Sequence, residues 1–167
     1  MERIHYSIAP CSLGWVLAAA TERGLCAIEL GDDPSTLETG LQERFPHAAL
    51  VRDPDLGGWM KQIAAFLEAP QRGLSLPLDM QGTAFQRRVW AALCEIPAGE
   101  TISYTALAAR IGAASAVRAV AAACAANRLA VAVPCHRVVR KDGELGGYRW
   151  GLERKRRLLE RERGAIL

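Results

Sequence analysis

Histidine and aromatic residues are scarce in this 167-residue chain: there are three histidines, and Phe, Trp and Tyr together make up 6%. The five cysteines, at 11, 26, 94, 124 and 135, are odd in number and widely scattered, and none belongs to a C-x₂₋₄-C pair of the kind structural zinc sites favour. With so few histidines to complement them, neither a metal site nor a disulfide framework is expected, and no cofactor is called for. No stretch approaches the roughly 20 apolar residues that span a bilayer. The opening Met1-Glu2-Arg3-Ile4-His5-Tyr6 lacks the apolar segment of a signal peptide. The expectation is a monomer without a membrane partner, cytoplasmic in a bacterium or nuclear in a eukaryote. Internal repeats and low-complexity segments are also missing.

What is present reads as globular: half the residues are hydrophobic and 23% are charged. The length suits one ordinary domain or two small ones sharing a core. The net charge of +3 hides an asymmetry. Residues 1–81 carry 6 basic and 11 acidic side chains, a net −5, whereas residues 82–167 carry 15 basic and 7 acidic ones, a net +8. A basic half joined to an acidic half points to a polyanionic partner for the C-terminal half.

The first third reads as a small antiparallel sheet. Ile4 to Ile8 suit one strand, and Gly14 to Ala20 and Leu25 to Leu30 flank a turn at Thr21-Glu22-Arg23-Gly24. Asp33-Pro34 offers a helix N-cap with proline at the first helical position, and Leu37, Leu41 and Phe45 follow at helical spacing. A second helix is predicted from about Leu56 to Leu67. The breaker-rich connector Pro70 to Pro77 sets the expected division into residues 1–79 and 80–167. Beyond it, Thr83 can cap a helix bearing Phe85, Val89, Trp90 and Leu93, which Pro97-Ala98-Gly99 ends. Ser103 caps Tyr104 to Ile111, Gly112 supplies a turn, and Ser115 opens a helix to about Ala126, which together make a helix-turn-helix.

In the second helix of that pair, Val117, Val120, Ala121 and Cys124 follow the core-facing pattern. Ala119, Ala122, Ala123, Ala125 and Ala126 then leave a face nearly free of side chains, with Arg118 standing alone near its start. Such a face can approach a groove only roughly 6 Å wide. Alanine is also the best helix former, so composition leaves both readings open.

Val131-Ala132-Val133 reads as a short buried strand stopped by Pro134, after which Cys135, His136 and Arg137 follow at a turn. A thiol becomes a useful nucleophile when an adjacent base or positive charge lowers its pKa, and His136 and Arg137 supply both ingredients for a reactive Cys135 thiolate. A Cys-His dipeptide alone does not establish this chemistry, because neighbouring side chains diverge and most cysteines are small core hydrophobes.

The run Pro134-Cys135-His136-Arg137-Val138-Val139, with Ala125-Ala126-Asn127 before it and Gly147-Tyr148-Arg149-Trp150-Gly151 after it, resembles the O6-alkylguanine-DNA alkyltransferase family. Gly82-Thr83-Ala84-Phe85-Gln86, Ile102-Ser103-Tyr104 and Ala116-Val117-Arg118-Ala119-Val120 fit the same family. The resemblance runs nearly without gaps over residues 82–163, and the preceding part looks like that of Ada-type members. It implies an α+β protein, with a ribonuclease-H-like N-terminal α/β domain and a helical, winged-helix-like C-terminal domain. It also implies single-turnover DNA repair, in which the alkyl group of O6-alkylguanine, or of O4-alkylthymine, moves irreversibly to Cys135. The substrate would be double-stranded DNA bound through the minor groove, with the damaged base flipped out.

The resemblance assigns roles residue by residue. Cys135 is the alkyl acceptor, His136 the base that takes the thiol proton through a water, and Glu162 the carboxylate that orients it. Glu162 shares a helical face with Leu158, which allows partial burial. Tyr104 is the phenol that helps neutralise the departing guanine, and Asn127 ties the recognition helix to the cysteine loop. Arg118 fills the gap left by the flipped nucleotide, with Ala119, Ala122 and Ala123 against the groove. Tyr148 and Arg149 lie on the loop that closes over the base, and Tyr104, Val138 and Trp150 are assigned to the substrate pocket.

Trp150 is a bulky departure on that loop, from which poor acceptance of large O6 substituents such as benzyl is expected. The four-cysteine module of complete Ada-type proteins is not found in the N-terminal part. Two other readings are weighed against repair. A DNA-binding regulator without chemistry would leave Cys135 unmodified, and a cysteine hydrolase would turn over repeatedly and need an oxyanion pocket.

Overall fold

The computed structural model describes residues 2–164. It is a mixed α+β fold. Strands β1 (Arg3–Cys11), β2 (Gly14–Thr21) and β3 (Gly24–Gly31) form a meander, and β4 (Ala49–Arg52) adds to its edge, giving the order β3-β2-β1-β4. The β1–β2 and β2–β3 pairs are antiparallel, but β4 runs parallel to β1, with Arg3 opposite Ala49 and Tyr6 opposite Arg52. The sheet is therefore mixed rather than antiparallel. Four residues after Phe45-Pro46 are too short a run for alternation to announce a strand.

The period of two along the strands sorts their side chains onto two cores. Leu17 and Ala19 of β2 join Ile4, Tyr6, Cys26 and Leu41 beneath helix α1 (Pro34–Arg44). Val16 and Ala18 point the other way, with Leu25, Ile28 and Leu30, into the main core. As expected, Asp33 caps α1, accepting from the backbone N–H groups of Ser35 (2.9 Å) and Thr36 (3.1 Å).

The second predicted helix has a different start. Leu56–Gly58 is a 3₁₀ turn in which Gly57 and Gly58 have positive φ, and helix α2 proper spans Trp59–Glu68. The connector that follows is not a free linker. Leu25 N–H donates to Pro77 O (2.9 Å) and Asp79 N–H to Leu25 O (2.7 Å), so the chain runs along the edge of β3. Gly24, at φ +142°, makes this approach possible, since a Cβ there would sit 2.5 Å from the Pro77 carbonyl oxygen.

The main core draws on both halves of the chain, from Leu13 and Val16 to Val138 and Leu158. Helix α3 (Ala84–Leu93) starts at Thr83 in a capping box with Gln86. Strand β5 (Ile102–Ser103) leads into α4 (Tyr104–Arg110), capped by the Ser103 hydroxyl (3.0 Å). Helix α5 (Val117–Ala125) completes the helix-turn-helix; β6 (Val138–Val139) pairs in parallel with β5, and α6 (Leu152–Gly164) closes the described chain. No described helix is long and apolar enough to cross a membrane.

Four local expectations are corrected. Helix α5 starts at Val117 with no side-chain cap, so Ser115 does not open it. Ala123 is buried with Val120 and Cys124, because the Trp90 indole packs there and donates to the Ala123 carbonyl (2.9 Å). Ala121, assigned to the core, instead lines an open cleft. Finally, Val131 and Val133 are buried, with Ala132 partly so, but the run is no strand. Ala132 N–H bonds Ala130 O (2.7 Å) and Val133 N–H bonds Leu129 O (3.0 Å), and Val131 adopts φ +68°. An apolar run specifies burial, and here the backbone bonds close within a turn.

Candidate functional site

The turn that replaces the expected strand delivers Cys135 to the floor of a cleft of about 990 Å³. Cys135 begins a 3₁₀ turn, Cys135–Arg137, immediately after Pro134. Around it the walls are Tyr104 from α4, Ala121, Cys124 and Ala125 from α5, and the loop Gly146-Gly147-Tyr148-Arg149. Arg140, Leu152 and Arg156 stand at the same cleft. Gly146, at φ +72°, permits the close pass of the loop: a Cβ there would lie 3.5 Å from the Tyr104 ring and 3.2 Å from Arg140 Cγ.

Asn127 joins the end of α5 to the cysteine turn. Its Nδ2 donates to Val133 O (2.9 Å) and to Cys135 Sγ (3.3 Å), while its Oδ1 accepts from Leu129 N–H (2.9 Å). Burial pushes the Cys135 thiol up to about 11, against the lowering effect of the Asn127 bond. The resting group is thus a thiol, not the thiolate expected from the neighbouring charges. Arg137 does not face the sulfur. Its guanidinium spans Glu162, through Nε (3.0 Å to Oε2) and Nη2 (2.9 Å to Oε1), and Nη1 donates to Ile96 O (2.6 Å).

His136 and Glu162 are fully buried, and His136 Nε2 lies 2.6 Å from Glu162 Oε1. Burial alone would raise the Glu162 carboxyl, but the bonds from His136 and Arg137 override it and hold the group down at about 2. Burial lowers the His136 pKa, with Glu162 opposing. Burial, helped by the nearby Arg137 and Lys155 charges, favours neutral His136 over the opposing pull of Glu162, and the neutral ring donates its Nε2 proton to the carboxylate. The lone pair is then on Nδ1, which is buried with no partner among the described residues.

Sequence reasoning passed over Lys155. This side chain is fully buried, and its Nζ donates to Val138 O (2.7 Å), Gly147 O (3.0 Å) and Leu145 O. Burial lowers its pKa to about 8. The available signal was position: Lys155 falls three and seven residues before Leu158 and Glu162, on the inward face of α6. Glu29 was also passed over; it reaches the loop from β3, where it is the one charged position in an otherwise apolar strand.

The other expected site residues separate. Tyr104, Tyr148 and Arg149 line the cleft, and burial raises the Tyr104 pKa. Arg118, Ala119 and Ala122 are exposed on α5, while Ala123 is buried beneath them. Val138 does not line the cleft: it is buried below the loop, and its carbonyl binds Lys155. Trp150 does not line it either. Its ring is buried behind Tyr148 and its indole N–H turns to Glu29, so it cannot narrow the cleft directly.

Residues 84–164 match the family described as 6-O-methylguanine DNA methyltransferase, DNA binding domain. Over 160 residues the chain is 54% identical to the bifunctional transcriptional activator/DNA repair enzyme Ada of Escherichia coli, covering 95% of the chain and 45% of that protein. The chain thus spans about half the length of this relative. It is 43% identical over 149 residues to the inducible methylated-DNA–protein-cysteine methyltransferase of Bacillus subtilis, covering 88% of the chain and 83% of that protein. Its fold is similar to that of Mycobacterium tuberculosis OGT in complex with DNA, with a TM-score of 0.81, 37% identity and coverage of 96% and 93% of the two chains. The chain belongs to the 6-O-methylguanine DNA methyltransferase family.

Proposed function

We propose that this chain repairs alkylated DNA directly, moving the alkyl group from O6 of guanine to Cys135 in one irreversible step. The observation that carries the reading is Cys135 at a cleft walled by the helix-turn-helix, next in the chain to the buried His136–Glu162 pair. The Cys135 thiol proton passes through a water to His136 Nδ1, and Glu162 stabilises the resulting imidazolium. The sulfur attacks the alkyl carbon, forming the S–C bond as the C–O bond breaks, and the departing guanine takes a proton from Tyr104. A thiol held up at about 11 stays protonated at rest, so the nucleophile forms only when a base is in place.

The DNA lies with its minor groove on Arg118, Ala119 and Ala122 of α5, and the damaged base is flipped into the cleft between Tyr104 and the Tyr148-Arg149 loop. O4-alkylthymine fits the same chemistry. The test is incubation with duplex DNA containing O6-methylguanine, followed by peptide mass analysis. One methyl increment on the Cys135 peptide is expected, lost in Cys135→Ala while DNA binding persists. Transfer retained by Cys135→Ala would overturn the reading.

A further inference from the structure

The wall of the cleft between residues 140 and 151 contains no helix or strand. Its local bonds are a turn, with Arg140 N–H donating to Glu144 O (2.8 Å) and Gly143 N–H to Arg140 O (2.9 Å), and Gly151 N–H donating to Tyr148 O (3.1 Å). Four of its residues are glycine, at 143, 146, 147 and 151. Such a segment has wide backbone freedom, so its shape depends on side chains that reach it from outside. Lys155 and Arg154 reach it from α6, Arg154 Nη1 donating to Trp150 O (3.0 Å). Glu29 reaches it from β3, across 121 residues of sequence to Trp150.

Glu29 Oε1 accepts the Trp150 indole N–H (3.3 Å) and lies 3.5 Å from Arg149 Nε. The Trp150 ring stands edge-on to Tyr148, with centroids 5.3 Å apart. Tyr148 lines the cleft with Cys135 and is edge-on to His136 at 6.4 Å. A connected path therefore runs from the N-terminal sheet through Trp150 to the cleft wall. The carboxylate occupies a largely buried strand position between Ile28 and Leu30, where an apolar side chain would avoid the desolvation cost.

We infer that Glu29 is a positioning residue for the substrate: it fixes the Tyr148-Arg149 wall, and so sets how tightly the base is held, without entering the transfer chemistry. The inference rests on the alkyl-transfer reading of Cys135. It also changes the meaning of Trp150, which acts on the base through Tyr148 and through its tether to Glu29, not by filling the cleft.

The test is single-turnover transfer from the free base O6-methylguanine over rising concentration, split into a half-saturating concentration and a limiting rate. Glu29→Leu is expected to raise the half-saturating concentration about tenfold, the scale of one lost charge-assisted hydrogen bond, and to leave the limiting rate within about twofold. Trp150→Phe, which keeps a ring but removes the N–H and leaves β3 untouched, should show the same split even if Glu29→Leu does not fold. The double variant should be no worse than either single one, because both break the same path. Glu29→Gln, which keeps an acceptor for the indole, should recover most of the loss.

Unchanged half-saturation in a folded Glu29→Leu or in Trp150→Phe, effects that multiply in the double variant, or no recovery in Glu29→Gln would each overturn the inference. The two readings fail separately. An unsubstituted chain that leaves Cys135 unmethylated sinks the transfer reading; one that methylates Cys135 while the variants match it sinks only the role of Glu29.

Discussion

At the scale of single residues, the site separates acidity from nucleophilicity. Burial keeps Cys135 protonated, and the charge sits on the Glu162–Arg137 pair behind His136. Glu162 therefore has two tasks, holding the His136 proton on Nε2 and neutralising a buried guanidinium. Glu162→Gln retains an acceptor for His136 but leaves Arg137 uncompensated. Its expected cost is roughly 10²-fold in single-turnover transfer, within the range of general-base contributions. Urea unfolding of the same variant should show a loss of about 3–5 kcal/mol, as for a buried pair that loses one partner. A transfer rate within threefold of the parent would remove the orienting role. Arg137 looked like an activator of its neighbour Cys135 in the sequence. A side chain's reach is not set by chain adjacency, and the guanidinium found its carboxylate 25 residues away.

Among the elements, α5 and α6 divide the work. Helix α5 presents Arg118, Ala119 and Ala122 outward while Val120, Ala123 and Cys124 pack inward. If Arg118 occupies the gap left by a flipped nucleotide, Arg118→Ala should slow repair of duplex DNA far more than reaction with free O6-methylguanine. Equal losses on both substrates, measured as rates of Cys135 methylation, would refute that role. Helix α6 faces two ways. Lys155 and Glu162 point into the site, while Arg157 donates to Ser12 O (2.9 Å) and Arg161 to Leu67 O (2.7 Å) in the N-terminal half. The helical pattern of α5 was legible in the sequence, but the side of the alanine stripe that is buried was not. That depended on Trp90 of α3 choosing the Ala123 carbonyl.

For the whole molecule, stability should fall in acid for reasons located in the site. His136 has a folded pKa below the ordinary 6.5, and Glu162 has one of about 2 against an ordinary 4.5. In both cases the unfolded chain binds more protons in the window between the two values, so stability rises with pH there. The contribution of His136 is complete above about pH 6.5 and is lost as pH falls below it; that of Glu162 is complete above about 4.5 and is lost toward 2. Denaturant midpoints measured from pH 8 to pH 3 should decline in that order, and a flat profile would contradict the buried neutral-histidine arrangement. The sequence by itself determined the helices with their Asp33, Thr83 and Ser103 caps, the β2–β3 hairpin, the basic C-terminal half and the motif around Cys135. These are local or compositional properties, fixed by neighbours within a few residues. Only the tertiary structure decided that Cys135 rests as a thiol, that Arg137 serves Glu162, that Lys155 and Glu29 hold the cleft wall, and that Trp150 and Val138 stand behind it. Each of these depends on desolvation or on a partner distant in the chain, and neither quantity exists until the elements pack.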